Sequence, residues 1–157
     1  MINKDDILDA QKKWSEGVIK MGTTKSQPQE AKKYAENFVD QMYAFDESSG
    51  CLFKPTKAQT TPFRDSREGA VSYFVGGNSS FSEDKGFALN PWKHIEFQNE
   101  KLFCYEDHAI ASGHYFFTDD HNEKTKVEYT FSYTKDNNDQ LKINLHHSSL
   151  PYSCSEA

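Results

Sequence analysis

The run Val127-Glu128-Tyr129-Thr130-Phe131-Ser132-Tyr133-Thr134 constrains the fold of this chain more than any other segment. Large apolar and aromatic side chains alternate with polar ones at period two, so one face of an extended segment is built for a core and the other for water. A strand of this kind needs hydrogen-bonded neighbours and a layer to cover its apolar face. The residues around it supply the neighbours: residues 94–97, 101–105, 109–117, 126–133 and 141–149 read as five strands. Asn-Glu, Glu-Asp, Asp-Asp-His-Asn and Asp-Asn-Asn-Asp turns join them.

The covering layer comes earlier in the chain. Ile7, Leu8, Trp14, Val18 and Ile19 recur near helical spacing, with Asp5 or Asp6 as the cap, and residues 22–27 form a polar connector. Pro28 opens a second helix with Ala31, Tyr34, Ala35, Phe38, Val39 and Met42 on one face, expected to end near Asp46. Ser48, Ser49 and Gly50 predict a turn, and residues 51–54 a short strand stopped by Pro55, which has no N–H to give to a central ladder. Ser66 caps a third helix carrying Ala70, Val71, Phe74 and Val75, ended by Gly76-Gly77. Residues 78–90, with Phe81 and Phe87, are long enough for a lid or a partner contact. Helices first and strands afterwards predict one α+β domain over residues 1–157, a curved, mostly antiparallel sheet wrapped around the helices as a cone with a pocket.

Composition excludes several functions. The net charge is −6 and the only arginines are Arg64 and Arg67, so there is no basic stripe for a phosphate backbone, and no nucleic-acid partner is expected. No apolar run reaches the roughly 18 residues of a membrane span, so no membrane partner is expected either. The expected compartment is the cytoplasm for the chain as it stands, or the periplasm or plastid if a leader precedes it in a longer precursor. Cys51, Cys104 and Cys154 are odd in number and lack a CxxC pair, which predicts free thiols. His94, His108, His114 and His121 have no HExxH spacing, Gly76-Gly77 lacks the Lys-Ser/Thr of a phosphate loop, and there is no GxSxG elbow. No metal site and no cofactor are expected. Asp119, Asp120 and His121 read as a solvated hairpin turn.

Chemistry points instead to Leu145-His146-His147-Ser148-Ser149-Leu150-Pro151-Tyr152, where polar residues end an otherwise apolar strand. Alternation from Leu141, Ile143 and Leu145 carries the inner face on to His147 and Ser149, whereas a bulge would send His146 and Ser148 inside. Either pair needs partners or a ligand, because an unpaired buried polar group costs about 1–3 kcal/mol. The plainer reading is a His–Ser hydrogen bond that closes the sheet. Thr56, after the short strand, and Tyr73, on the third helix, offer hydroxyls suited to a small oxyanion. Their plainer roles are a turn cap and a core aromatic.

Phe53-Lys54-Pro55-Thr56, the Arg67 to Gly77 segment Arg-Glu-Gly-Ala-Val-Ser-Tyr-Phe-Val-Gly-Gly, and the His146 to Tyr152 segment together resemble the iota class of carbonic anhydrases, specifically its metal-free branch. The resemblance runs over about residues 30 to 152 and leaves the N-terminal helix and connector, residues 1–27, outside the motifs. It implies an NTF2-like cone, similar to the association domain of calmodulin-dependent kinase and usually homodimeric. It also implies reversible hydration of CO2 to bicarbonate. By position in the motifs, Thr56, Tyr73 and Ser149 or Ser148 would hold bicarbonate, with His147 or His146 beside it, either taking a proton from water or orienting a hydroxyl; apolar walls from Phe74, Phe131 and Tyr129 would suit linear CO2. The competing expectation is a non-catalytic oligomerisation or small-ligand module. An isomerase-like proton transfer ranks last, since no acidic base is evident on the inner face.

Overall fold

The structure is a computed structural model that describes residues 1–47 and 50–154; Ser48 and Ser49 of the expected turn lie outside these. Helix α1 (Lys4–Gly22) starts at a capping box: Asn3 accepts from the Asp6 N–H and the Asp6 carboxylate accepts from the Asn3 N–H. The cap is therefore Asn3 rather than Asp5 or Asp6, with Asp6 in the reciprocal position. Helix α2 (Pro28–Met42) stops four residues short of the expected end. Tyr43 turns extended, and the Ala44 N–H is taken by the Ile143 carbonyl at 2.8 Å, so the sheet captures the backbone that would have continued the helix. The two helices cross where Gly17 lies against the Phe38 ring, a spot with no room for a Cβ.

Strand β1 (Leu52–Lys54) and helix α3 (Arg67–Val75) follow, the latter capped by the Ser66 hydroxyl and ended at Gly76, which has φ 68°. Two short 3₁₀ turns lead to strands β2 (Trp92–Cys104), β3 (His108–Asp119), β4 (Lys124–Lys135) and β5 (Leu141–Ser149). The sheet order is β1-β5-β4-β3-β2; β1 runs parallel to β5 and every other pairing is antiparallel.

The expected strands at residues 94–97 and 101–105 are one strand. Asn99 pairs with Gly113 and Lys101 with Ser112, so Glu100 is an extra residue absorbed as a bulge, and what resembled a turn bends the strand without ending it. Gly113 permits that close approach, since a Cβ there would meet the Gln98 carbonyl. Bulges of this kind raise the local twist and curl the sheet around α1. Trp14 sits at the centre of the resulting core, 1% exposed, with Phe74, Phe97 and Phe131 around its indole.

Candidate active site

A second bulge decides which residues reach the interior. Along the β4–β5 pairing, Tyr133 lies opposite Ile143 and Ser132 opposite Leu145, so Asn144 is skipped and the alternation inverts. His146 and Ser148 are 2% and 1% exposed, whereas His147 is exposed and Ser149 half-buried on the outer face. The expectation that His147 and Ser149 face inward is corrected: simple period two fails at Asn144.

Both ring nitrogens of His146 are engaged. Nδ1 lies 2.8 Å from Tyr43 Oη, which in turn accepts from Trp14 Nε1 at 3.0 Å. Nε2 lies 2.9 Å from Tyr115 Oη. Tyr115 Oη is 2.5 Å from Ser148 Oγ, and Ser148 Oγ is 2.7 Å from Thr56 Oγ1. Thr56 gets there through β1. The parallel register sets Lys54 opposite His147, Pro55 ends the strand, and the chain delivers the next residue, half-buried, beside Ser148. Lys54 Nζ donates to the Ser148 carbonyl at 3.1 Å and pins the two strand ends together. Tyr73, buried on α3, accepts the Lys57 N–H at 3.1 Å.

These groups surround a cleft of about 10 Å³, room for about one water centre, lined by Trp14, Phe53, Pro55, Thr56, Tyr73, Phe74, Phe87, Tyr115, His146 and Ser148. None of these carries a carboxylate or an ammonium group. Burial pushes the Tyr73 and Tyr115 phenols up from their ordinary value and holds the His146 imidazole well below its own, with His147 a lesser cause. The lining is therefore uncharged at neutral pH. Phe53 stacks on the His146 ring at 4.6 Å and Phe131 meets it edge-on at 4.3 Å.

The roof of the cleft is held by charge buried behind it. Arg64, 2% exposed, donates to both Asp84 carboxylate oxygens at 2.6 and 2.8 Å and to the Gly69 carbonyl at 3.0 Å. Glu83 accepts the N–H groups of Gln59, Thr60 and Thr61, which hold its carboxyl below the ordinary value. Residues 78–90 thus form a roof clamped onto the β1–α3 loop, and Phe87 stacks on Tyr73 at 5.3 Å.

Thr56, Tyr73, Phe74, His146 and Ser148 come together in the cleft; His147 and Ser149 do not. Phe131 backs the His146 ring without lining the cleft, and Tyr129 turns its hydroxyl to Asn99 and Gln11 on the far side of the core. Sequence reasoning missed Tyr43 and Tyr115. Tyr115 lies on the inner face of a predicted strand, where a phenol in a network and a packing ring give the same signal. Among the described residues, no group of three or more His, Cys, Asp or Glu is placed to hold a metal ion, and no helix is long and apolar enough to cross a membrane.

A family model described as metal-independent carbonic anhydrase matches residues 5–150, so the match takes in α1 as well as the motif segments. A protein of Nostoc sp. named metal-independent carbonic anhydrase is 39% identical over 154 residues, spanning 96% of this chain and 75% of its own length. The crystal structure of a cyanobacterial iota-carbonic anhydrase complexed with bicarbonate superposes with a TM-score of 0.92 at 38% identity, over 97% of this chain and 94% of that one. A calcium/calmodulin-dependent protein kinase II association domain from Xanthomonas campestris superposes with a TM-score of 0.62 at 20% identity, over 96% and 89% of the two chains. An NTF2-like family protein from Streptomyces avermitilis does so at 0.59 with 10% identity, over 95% and 96%. The last two share the fold alone, and the α+β cone is that of the NTF2-like proteins.

Proposed function

The chain belongs to the metal-independent carbonic anhydrases, and from that premise we propose that it catalyses the reversible hydration of CO2 to bicarbonate in the cleft between Thr56, Tyr73, Tyr115 and Ser148. The observation that carries this reading is the convergence of four hydroxyls and one neutral imidazole in a small pocket with no charged lining. Water attacks the carbon of CO2, a C–O bond forms, and negative charge develops on the former CO2 oxygens. Fixed hydroxyl donors stabilise that charge, each worth about 10²–10³ in rate where water is excluded. Phe74, Phe87 and Trp14 supply apolar walls for the linear substrate. The attacking water loses a proton to solvent at the mouth of the cleft, so CO2 and H2O leave as HCO3⁻ and H⁺.

Of the two roles open to the imidazole, taking the proton from water or orienting a hydroxyl, the hydrogen bonds of His146 support the second. Its Nε2 meets the cleft through Tyr115 and its Nδ1 is held by Tyr43, so it acts on the substrate through a hydroxyl. The working assembly in this reading is a homodimer, supported by exposed Leu52, Phe103 and Ile110, and sedimentation velocity tests it. The activity itself is tested by stopped-flow CO2 hydration on chelator-treated protein. Hydration well above the buffer rate is expected; a rate that vanishes on metal stripping and returns with zinc or manganese would overturn the reading.

A further inference from the structure

We propose that Tyr43 is a positioning residue for the reaction: it fixes His146 in the tautomer that carries hydrogen on Nε2 and so sets the direction in which the Tyr115, Ser148 and Thr56 hydroxyls point. The claim rests on the reading of the cleft as a CO2 hydration site.

The indole Nε1 of Trp14 is a donor only, so Tyr43 Oη must accept from it at 3.0 Å. Tyr43 then has one hydrogen left, and its other polar neighbour is His146 Nδ1 at 2.8 Å. With Nδ1 bare, Tyr43 donates to it and both groups are satisfied. With hydrogen on Nδ1, Tyr43 accepts twice and its own hydrogen faces the interior unpaired, since Tyr43 is 1% exposed and Phe38, Phe53 and Phe74 surround its ring. Leaving such a group unpaired shifts the tautomer balance by about 5- to 150-fold. Burial also holds the imidazole well below its ordinary pKa, so a doubly protonated ring offers no escape.

The rest of the chain of bonds follows. Nε2–H donates to Tyr115 Oη, Tyr115 then donates to Ser148 Oγ, and Ser148 donates to Thr56 Oγ1. Thr56, at the mouth, keeps its hydrogen for an oxygen in the cleft. Reversing the tautomer reverses each step and leaves the mouth with an acceptor where the developing negative charge needs a donor. Tyr43 touches no substrate; it acts through His146.

The test is a ¹⁵N–¹H correlation spectrum of the histidine rings in the intact protein, with the His146 signals assigned by their loss in His146→Gln. Hydrogen on Nε2 and a bare Nδ1 are expected in the wild type; hydrogen on Nδ1 overturns the proposal before any variant is made. In Tyr43→Phe, the Nε2–H form should lose its dominance, and kcat should fall by roughly tenfold with KM changed less than about threefold. A Tyr43→Phe protein that is folded, shows the mixed tautomer and keeps wild-type kcat overturns the positioning role. A wild type with Nε2–H but no CO2 hydration overturns the functional reading and leaves the tautomer assignment standing.

Discussion

The last turn of strand β5 carries the same chemistry twice, once on each face. His146 and Ser148 point inward and His147 and Ser149 outward, a displacement of one residue. The inner imidazole has both nitrogens occupied and its pKa held down by burial. The outer one lies in an open groove with His114, Glu128 and Thr130. Residue type is therefore not what makes the candidate site. Removal from water does, because it forces each polar group to find a fixed partner and makes each fixed dipole count for more.

The sharpest test of that contrast is the serine pair. Ser148→Ala should cut kcat by about 10²–10³-fold, because it removes the link between Tyr115 and Thr56; Ser149→Ala should leave the rate within about twofold. Equal effects in stopped-flow CO2 hydration would break the comparison. Tyr73→Phe comes next, with a rate loss of about 10²-fold and little change in far-UV circular dichroism, since only a hydroxyl that accepts one N–H is lost. The histidines should differ in acid stability. The unfolded chain binds a proton on His146 more readily than the folded one, so the stability tied to its neutral state is complete above about pH 6.5 and declines as the pH falls below it. Urea midpoints between pH 7 and 5 should fall with a contribution of at most about 1.4 kcal/mol per pH unit, reduced in His146→Gln. The smallest effect belongs to His147→Gln, expected to change stability by less than about 0.5 kcal/mol and to leave the rate alone.

Much of the architecture was legible in the chain because periodicity reports directly on which face is buried. The aromatic alternation of β4, the Ser66 cap, the Gly76 stop and the Pro28 start each carry a local physical cause, and each appears where expected. The two misread strand patterns share one origin. Glu100 and Asn144 are extra residues in bulges, and a bulge leaves no mark on composition: polar Asn99-Glu100 looked like a turn, and strict alternation carried the wrong His–Ser pair inside. Tyr43 and Tyr115 escaped notice for a different reason. Their rings serve the core as any aromatic would, and only their long-range hydrogen bonds, from residue 43 to 146 and from 115 to 148, distinguish them.

The narrowness of the cleft has a consequence for selectivity. A space of about 10 Å³ between Phe74, Phe87 and Trp14 works as a sieve. A slender linear molecule is the shape of guest that such a space suits, whereas a bulky aryl guest meets the Phe74, Phe87 and Trp14 rings. Discrimination by girth, with no charge to attract any guest, makes fidelity a matter of packing, so the enzyme should become promiscuous when Phe87 is trimmed to Ala.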